Sequence, residues 1–233
     1  MISIITVSWN SYDFLELLIE SLEIYSSLPY ELIVVDNSSE TKIINRPHVH
    51  QFFLENNMGH GYGLNYGCLQ NHNHFPNNPY IMFLDVDCHM LKPAWEIPFI
   101  KKMEEFDLIG GRGVPAKPIR PACMFMKKKL ESYDWQSTKD YHGHRITPDG
   151  FDVAILAYHK MCGNQVPIGF LEHKPNRYGT LNGEEWCIDD VPLVYHHWHG
   201  ASLHLTCRQA DFPGVDLMED KRKLFYQIPW RLL

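Results

Sequence analysis

Apolar residues come in short bursts along this chain, and each burst is cut off by polar residues. "ISIITVS" is β-branched and apolar and stops at Trp9-Asn10, which predicts a strand. In "SYDFLELLIESLEIYSSL", Phe14, Leu15, Leu18, Leu22 and Tyr25 recur at helical spacing; Asn10 or Ser11 is placed to cap the start, and Pro29 stands beyond the end. "ELIVVDNSS" reads as a second, buried strand, "VHQFFLEN" as a weaker third and "YIMFL" as a fourth. Between the last two, "GHGYGLNYGCLQNHN" predicts a helix with a glycine-rich entrance. "KPAWEIPFIKKMEEF" fits a helix with Pro93 in its first turn and Pro98 interrupting the pattern. "DLIGG", "ACMFMKK" and "VPIGFLE" predict further strands, and "GFDVAILAYHKMCG" a helix closed by Gly163. "VPLVYHHWHG" is a strand running into histidines. Residues 131–148 carry no clear period, and residues 173–190 read as loop.

Strands alternating with helices predict an α/β fold with a mainly parallel central sheet flanked by helices. Ligands of such sheets sit outside the carboxyl ends of the strands. Three early strands end there in polar side chains, at Ser8 to Asn10, Asp36 to Ser39 and Asp85 to Asp87. If strand geometry continues through "LDVD", Asp85 and Asp87 face one side, within about 7 Å, and Val86 points back into the core. Two carboxylates that close repel, and either a cation or a proton resolves the conflict. Hard oxygen ligands suit Mg²⁺ or Mn²⁺, which also take phosphate oxygens. The plainer alternative is a turn in which one aspartate caps the next segment.

Composition narrows the field. The 233 residues are 45% hydrophobic, enough for one large domain. The net charge of -7 and pI near 6.0 give no general pull toward nucleic acid, and a compact basic run such as Lys127-Lys128-Lys129 reads as solvated surface. Six cysteines are scattered without a CxxC, so neither a disulfide framework nor a zinc knuckle is written here, and a reducing compartment is expected. No apolar run approaches the ~20 residues of a membrane span, and "MISIITVSWN" opens as a strand rather than as a signal peptide. The expected location is cytoplasmic, with peripheral contact at the inner membrane face left open.

These segments together carry a family resemblance. "DVD" after an apolar strand resembles the DxD motif of glycosyltransferases with the nucleotide-diphosphosugar (GT-A) fold. "ISIITVSWNSYDFLELLIESL" resembles the opening strand and helix of family-2 members, and "ELIVVDNSS" their second strand. "ENNMGHGYGLNYG", with Asn57, Gly59, Asn65 and Gly67, resembles their N-x-G-x-x-x-x-x-N-x-G segment. The resemblance is good over residues 2–90 and looser beyond. It implies a single GT-A domain over residues 1–233, with a nucleotide-binding half (1–90) and an acceptor-binding and catalytic half (91–233). It places Thr6, Ser8 and Asn10 near the nucleotide and Asp36 on uracil or ribose. Asp85 would contact ribose or sugar, Asp87 would ligate Mn²⁺ or Mg²⁺, and Asn65 would support the Asp85 loop. The donor implied is a nucleotide-diphosphate sugar, UDP first, and the acceptor a glycan or other hydroxyl.

Family members often add a late histidine to the metal. "VYHHWHGAS" offers His196, His197 and His199, with His199 the first expectation and His197 close behind; an imidazole beside carboxylates favours Mn²⁺. Inverting transfer needs a base for the acceptor proton. The family places an aspartate at a helix start, usually after glutamate. Asp152 matches, although Phe151 stands in the glutamate position, and Asp149 is the second candidate. Both also suit a plain helix cap. Glu184, Glu185, Asp189 and Asp190 read as a solvated acidic loop. Trp135, Tyr141, Trp186 and Trp198 suit either an acceptor-stacking platform or plain packing. Two rival functions stay open: a dinucleotide-dependent oxidoreductase using Gly61, Gly63 and Gly67, and a nucleotide-sugar or glycan binder without transfer activity.

Overall fold

The four N-terminal strands form where the apolar bursts lie. β1 (Ile2–Ser8), β2 (Tyr30–Asp36), β3 (Val49–Phe53) and β4 (Tyr80–Leu84) alternate with α1 (Tyr12–Tyr25) and α2 (His60–His74). The structure is a computed structural model and describes residues 1–112, 119–136, 154–175 and 183–197. β5 (Cys88–Met90), α3 (Glu96–Lys102), β6 (Leu108–Arg112), β7 (Ile119–Lys127), a 3-10 turn (Lys128–Leu130), α4 (Ile155–Gly163), β8 (Ile168–Pro175), β9 (Glu184–Ile188) and β10 (Val191–His196) follow.

The ten strands make one sheet in the order β3-β2-β1-β4-β7-β6-β8-β9-β10-β5. The parallel part expected from the alternation is β3-β2-β1-β4. Beyond β4 the sheet is mixed: β6 and β8 run parallel, while β7, β9, β10 and β5 join their neighbours antiparallel. β1 is buried on both faces, as an apolar run without alternation requires. Ile2 and Ile4 join the core under α1, and Ile5 joins the core under α2. Phe14, Leu15, Leu18, Leu22 and Tyr25 form the buried stripe of α1, as their spacing predicts.

Glycine sets the fit of α2. A Cβ on Gly63 would lie 2.7 Å from Val7 Cγ1, and one on Gly67 would overlap the Ile5 side chain. The glycines of "GYGLNYG" let a helix lie directly on β1. Pro98 falls in the first turn of α3, where its missing amide has no helical acceptor to serve, because the helix starts at Glu96 rather than near Pro93.

Residues 173–190 are not loop throughout. β8 reaches Pro175, and β9 pairs with it antiparallel through Glu172–Cys187 and Lys174–Glu185. Two consecutive glutamates at the head of β9 hide its strand pattern. Both are 1% exposed, which overturns the solvated-loop expectation for Glu184 and Glu185; Asp189 and Asp190 form the exposed turn that follows.

Candidate active site

The rim at the carboxyl ends of β1, β2 and β4 is knitted by short hydrogen bonds. Ser8 pairs in register with Asp36. The Asn37 amide donates to the Ser8 carbonyl (2.8 Å), the Asn10 amide to Ser38 Oγ (2.8 Å) and the Leu54 amide to the Asp36 carbonyl (2.9 Å). Asn10 turns the chain in the left-handed region (φ 50), which asparagine tolerates. Asp36 is buried, and both of its oxygens are hydrogen-bonded. Its Oδ2 accepts from Tyr12 Oη (2.7 Å) and Gln51 Nε2 (2.8 Å), and its Oδ1 accepts from the Ser38 amide (2.9 Å). Burial, and then the hydrogen bond to Asp36, raise the Tyr12 phenol above its usual range, so it stays a donor. Thr6 and Ser8 lie on the Ile2–Ile4 face of β1. Their hydroxyl oxygens are buried and meet no hydrogen-bond partner among the described residues.

The aspartate pair sits on a turn rather than on a continuing strand. β4 ends at Leu84, the Asp85 amide donates to the Ala122 carbonyl (2.9 Å), and the Cys88 amide closes back on the Asp85 carbonyl (2.9 Å). Val86 is 4% exposed and points into the core as expected. The turn gives the two carboxylates different surroundings. Asp85 is 26% exposed and faces His60 Nε2 at 3.3 Å. Asp87 is 6% exposed and faces His196 Nε2 at 3.5 Å.

Of the three histidines in "VYHHWHGAS", the structure sets His196 against Asp87, where the sequence favours His199 and His197. It closes β10 opposite Cys88 of β5, which brings it beside Asp87. Its Nδ1 lies 3.5 Å from Glu184 Oε1. Burial alone would pull the imidazole down, but Asp87, Glu184 and Asp85 outweigh it and push it up to about 10. His197 is placed differently. Its amide donates to the Asp87 carbonyl (3.0 Å), while its ring packs among Phe14, His89 and Tyr195 with Nε2 3.0 Å from His89 Nδ1. Burial pushes His89 down to about 3, so at least that ring of the pair is neutral. His199, Asp149 and Asp152 lie outside the described residues, as do Tyr141 and Trp198.

Asn65 braces the segment after β7. Its Nδ2 donates to Asp134 Oδ1 (2.7 Å), and its Oδ1 accepts the Trp135 amide (2.8 Å). Trp135 in turn packs edge-on against Phe83 of β4, so Asn65 reaches the Asp85 turn only through that ring. Trp135 and Trp186 are fully buried and serve packing.

The donor set suits a hard divalent cation. Ligand atoms of Asp87, Cys88 and His196 lie within 4.8 Å of one another. Burial first, then the nearby carboxylates, push the Cys88 thiol well above its usual range, and it points at the Ala122 carbonyl (3.5 Å). That leaves one carboxylate and one imidazole facing each other, with a surplus of negative charge around them. Such a pair leaves most coordination positions to phosphate oxygens and water, as Mn²⁺ and Mg²⁺ prefer. His196 is the site residue that residue spacing does not single out; its register opposite Cys88 and Glu184 brings it to Asp87.

A mixed sheet whose parallel half carries a polar rim, with paired aspartates on the turn after its fourth strand, defines the nucleotide-diphosphosugar transferase (GT-A) fold. The model of the family Glycosyl transferase family 2 matches residues 3–148, and the chain belongs to that family. Among solved structures it is similar to S. aureus TarS, with TM-score 0.51 and 15% identity over 97% of this chain and 42% of that one. TarS residues 1–349 give TM-score 0.50 and 15% identity over 97% of this chain and 70% of that one. The same fragment in complex with UDP-GlcNAc aligns with TM-score 0.42 and 20% identity over 55% of this chain and 46% of that one. The chain therefore spans less than half of full-length TarS and of that complex. No curated protein sequence matches it significantly.

Proposed function

We propose that this protein is a metal-dependent, inverting glycosyltransferase. It moves a sugar from a nucleotide-diphosphate sugar, UDP first, to an acceptor hydroxyl in glycan or polysaccharide synthesis. The observation that carries the reading is the pairing of Asp87 with His196 on the rim that also holds Asp36, in a member of glycosyl transferase family 2.

Asp36 is prearranged by Tyr12, Gln51 and Ser38 to receive a base or ribose donor group. Thr6, Ser8 and Asn10 line the same edge. Asp85, the more exposed aspartate, is available to ribose or sugar hydroxyls. Asp87 and His196 would hold the cation, with His199 as a further candidate from the same run; the His197 ring is turned onto His89 instead. The cation, Mn²⁺ before Mg²⁺, supplies charge neutralisation to the departing diphosphate. Asp152, with Asp149 as the alternative, takes the proton of the acceptor hydroxyl. The acceptor oxygen then bonds to the anomeric carbon as the bond from that carbon to the phosphate oxygen breaks, and the nucleoside diphosphate leaves. The protein acts in the cytoplasm, with peripheral contact at the inner membrane face compatible with this reading. Among the described residues no helix is long and apolar enough to cross a membrane.

The test is release of nucleoside diphosphate from a panel of UDP-, dTDP- and GDP-sugars with mixed glycan acceptors, with Mn²⁺ and with EDTA. The reading expects turnover with Mn²⁺ and its loss with EDTA. Nucleotide binding with no turnover on any acceptor would favour a binding protein, and bound NAD(P) would favour the dinucleotide reading.

A further inference from the structure

One buried charge lies behind the candidate metal centre and has no place in the steps above. Glu184 opens β9 with its side chain only 2% exposed. Its register partner across the β9–β10 ladder is His196. Oε1 lies 3.5 Å from His196 Nδ1, on the far side of the ring from Asp87, which faces Nε2 at 3.5 Å. The same Oε1 accepts from Arg120 Nη1 at 2.8 Å, an anchor reaching over from β7. Trp186, two residues along β9 on the same face, packs edge-on against the His196 ring at 5.5 Å. A Cβ on Gly111 would collide with that indole, so β6 presses Trp186 into place.

We propose that Glu184 is the positioning residue of the metal centre, with Arg120 holding it and Trp186 walling the ring. This rests on the metal-dependent reading above. An imidazole that binds a cation through Nε2 must carry its proton on Nδ1, and it binds best when that proton is donated to a fixed carboxylate. Glu184 supplies that acceptor from a neighbouring strand, so ring rotation is set before any ligand arrives, and Nδ1 keeps its proton when Nε2 takes the cation. Arg120 fixes the carboxylate at Oε1, while His173 Nδ1 lies 3.7 Å from Oε2. The chain thus assembles Asp87, His196 and Glu184 in a row from the β4–β5 turn, β10 and β9.

The test is Mn²⁺ uptake by the full chain without nucleotide, read by the loss of the free-ion EPR signal. Glu184→Leu removes the acceptor at similar volume, and its Mn²⁺ affinity should fall about 10- to 100-fold. Glu184→Gln keeps an acceptor oxygen and should fall in between native and Glu184→Leu; it decides the matter if the leucine variant does not fold. Arg120→Met breaks the same ion pair from its other end. It should lower the melting temperature and, by loosening Glu184, reduce Mn²⁺ affinity by less than Glu184→Leu does. Native affinity in Glu184→Leu and Glu184→Gln, with the melting temperature lowered as in Arg120→Met, would reduce Glu184 to a strand-to-strand ion pair and overturn the proposal. Asp87→Asn separates the two levels. If it too binds Mn²⁺ like the native chain, or if the native chain takes up none, the metal reading fails and the inference falls with it.

Discussion

At the scale of single residues, the two aspartates of "LDVD" differ in what surrounds them, and this divides their roles. Asp87 is nearly buried and faces an imidazole, whereas Asp85 is open to the rim. Asp87→Asn removes the negative charge but keeps the shape. Turnover should drop by about 100-fold or more, the usual scale for losing a group that stabilises developing charge, with the melting curve little changed. Full turnover in that variant would remove Asp87 from the chemistry. Asp152→Asn should suppress transfer while leaving UDP affinity intact, measured by calorimetry; unchanged transfer would move the base to Asp149. Both aspartates, Asp36 and the polar ends of β1 were legible in the sequence, because strand ends announce themselves by an abrupt change from apolar to polar. His196 and Glu184 were not. Each is chosen by a cross-strand register, and register is a contact between distant segments that residue spacing does not encode.

At the scale of elements, α2 shows how a motif with a chemical reading can have a steric one. Gly63 and Gly67 face Val7 and Ile5 of β1 with no room for a side chain. Gly67→Ala should destabilise the fold by about 1–3 kcal/mol, the cost of overpacking a tight contact. Gly163, at the exposed end of α4 with open space around its Cα, is the control. Gly163→Ala should be neutral or slightly stabilising by urea denaturation, because alanine is the better helix former. The β6–β7 pair is tied by charge. Asp107, just before β6, faces Lys127 (2.7 Å) and Lys129 (2.6 Å). Burial alone would raise its carboxyl, but the two lysines outweigh burial and hold it below the usual 3.8. The stability this contributes is complete above the unfolded value and is lost as pH falls through the folded one. Asp107→Asn should therefore be less stable than native at neutral pH, and the two denaturation curves should converge on acidification below about pH 3.8. Helix periods and apolar runs gave α1 and β1 to β4 without ambiguity. β9 was hidden because it opens on two glutamates, and no local pattern reveals the partners, Arg120 and His196 among them, against which Glu184 is buried.

At the scale of the molecule, the Asp85–Cys88 turn joins two distant parts of one sheet. β4 lies beside β1 near the middle, while β5, only a turn later, is the far edge among the described residues and pairs there with β10. β5 also lies along α1, where the Met90 amide donates to Ser21 Oγ (3.1 Å). The candidate metal ligands come from both sides of this junction: Asp87 from the turn and His196 from the end of β10. A ligand bound there touches the turn after a central strand and a strand beside the far edge, so its binding energy should appear in the global unfolding transition rather than in a local one. A ligand present at about 100 times its dissociation constant adds about 2.7 kcal/mol to stability. For a domain of this size that corresponds to a rise of roughly 5–10 °C in melting temperature. Calorimetry with Mn²⁺ and UDP together should show a single transition displaced upward by that amount. In Asp87→Asn the displacement should shrink to whatever the nucleotide contributes without the cation. A shift confined to a minor early transition, with the main one unmoved, would mean that the ligand is held by the N-terminal loops alone and that the junction takes no part in binding.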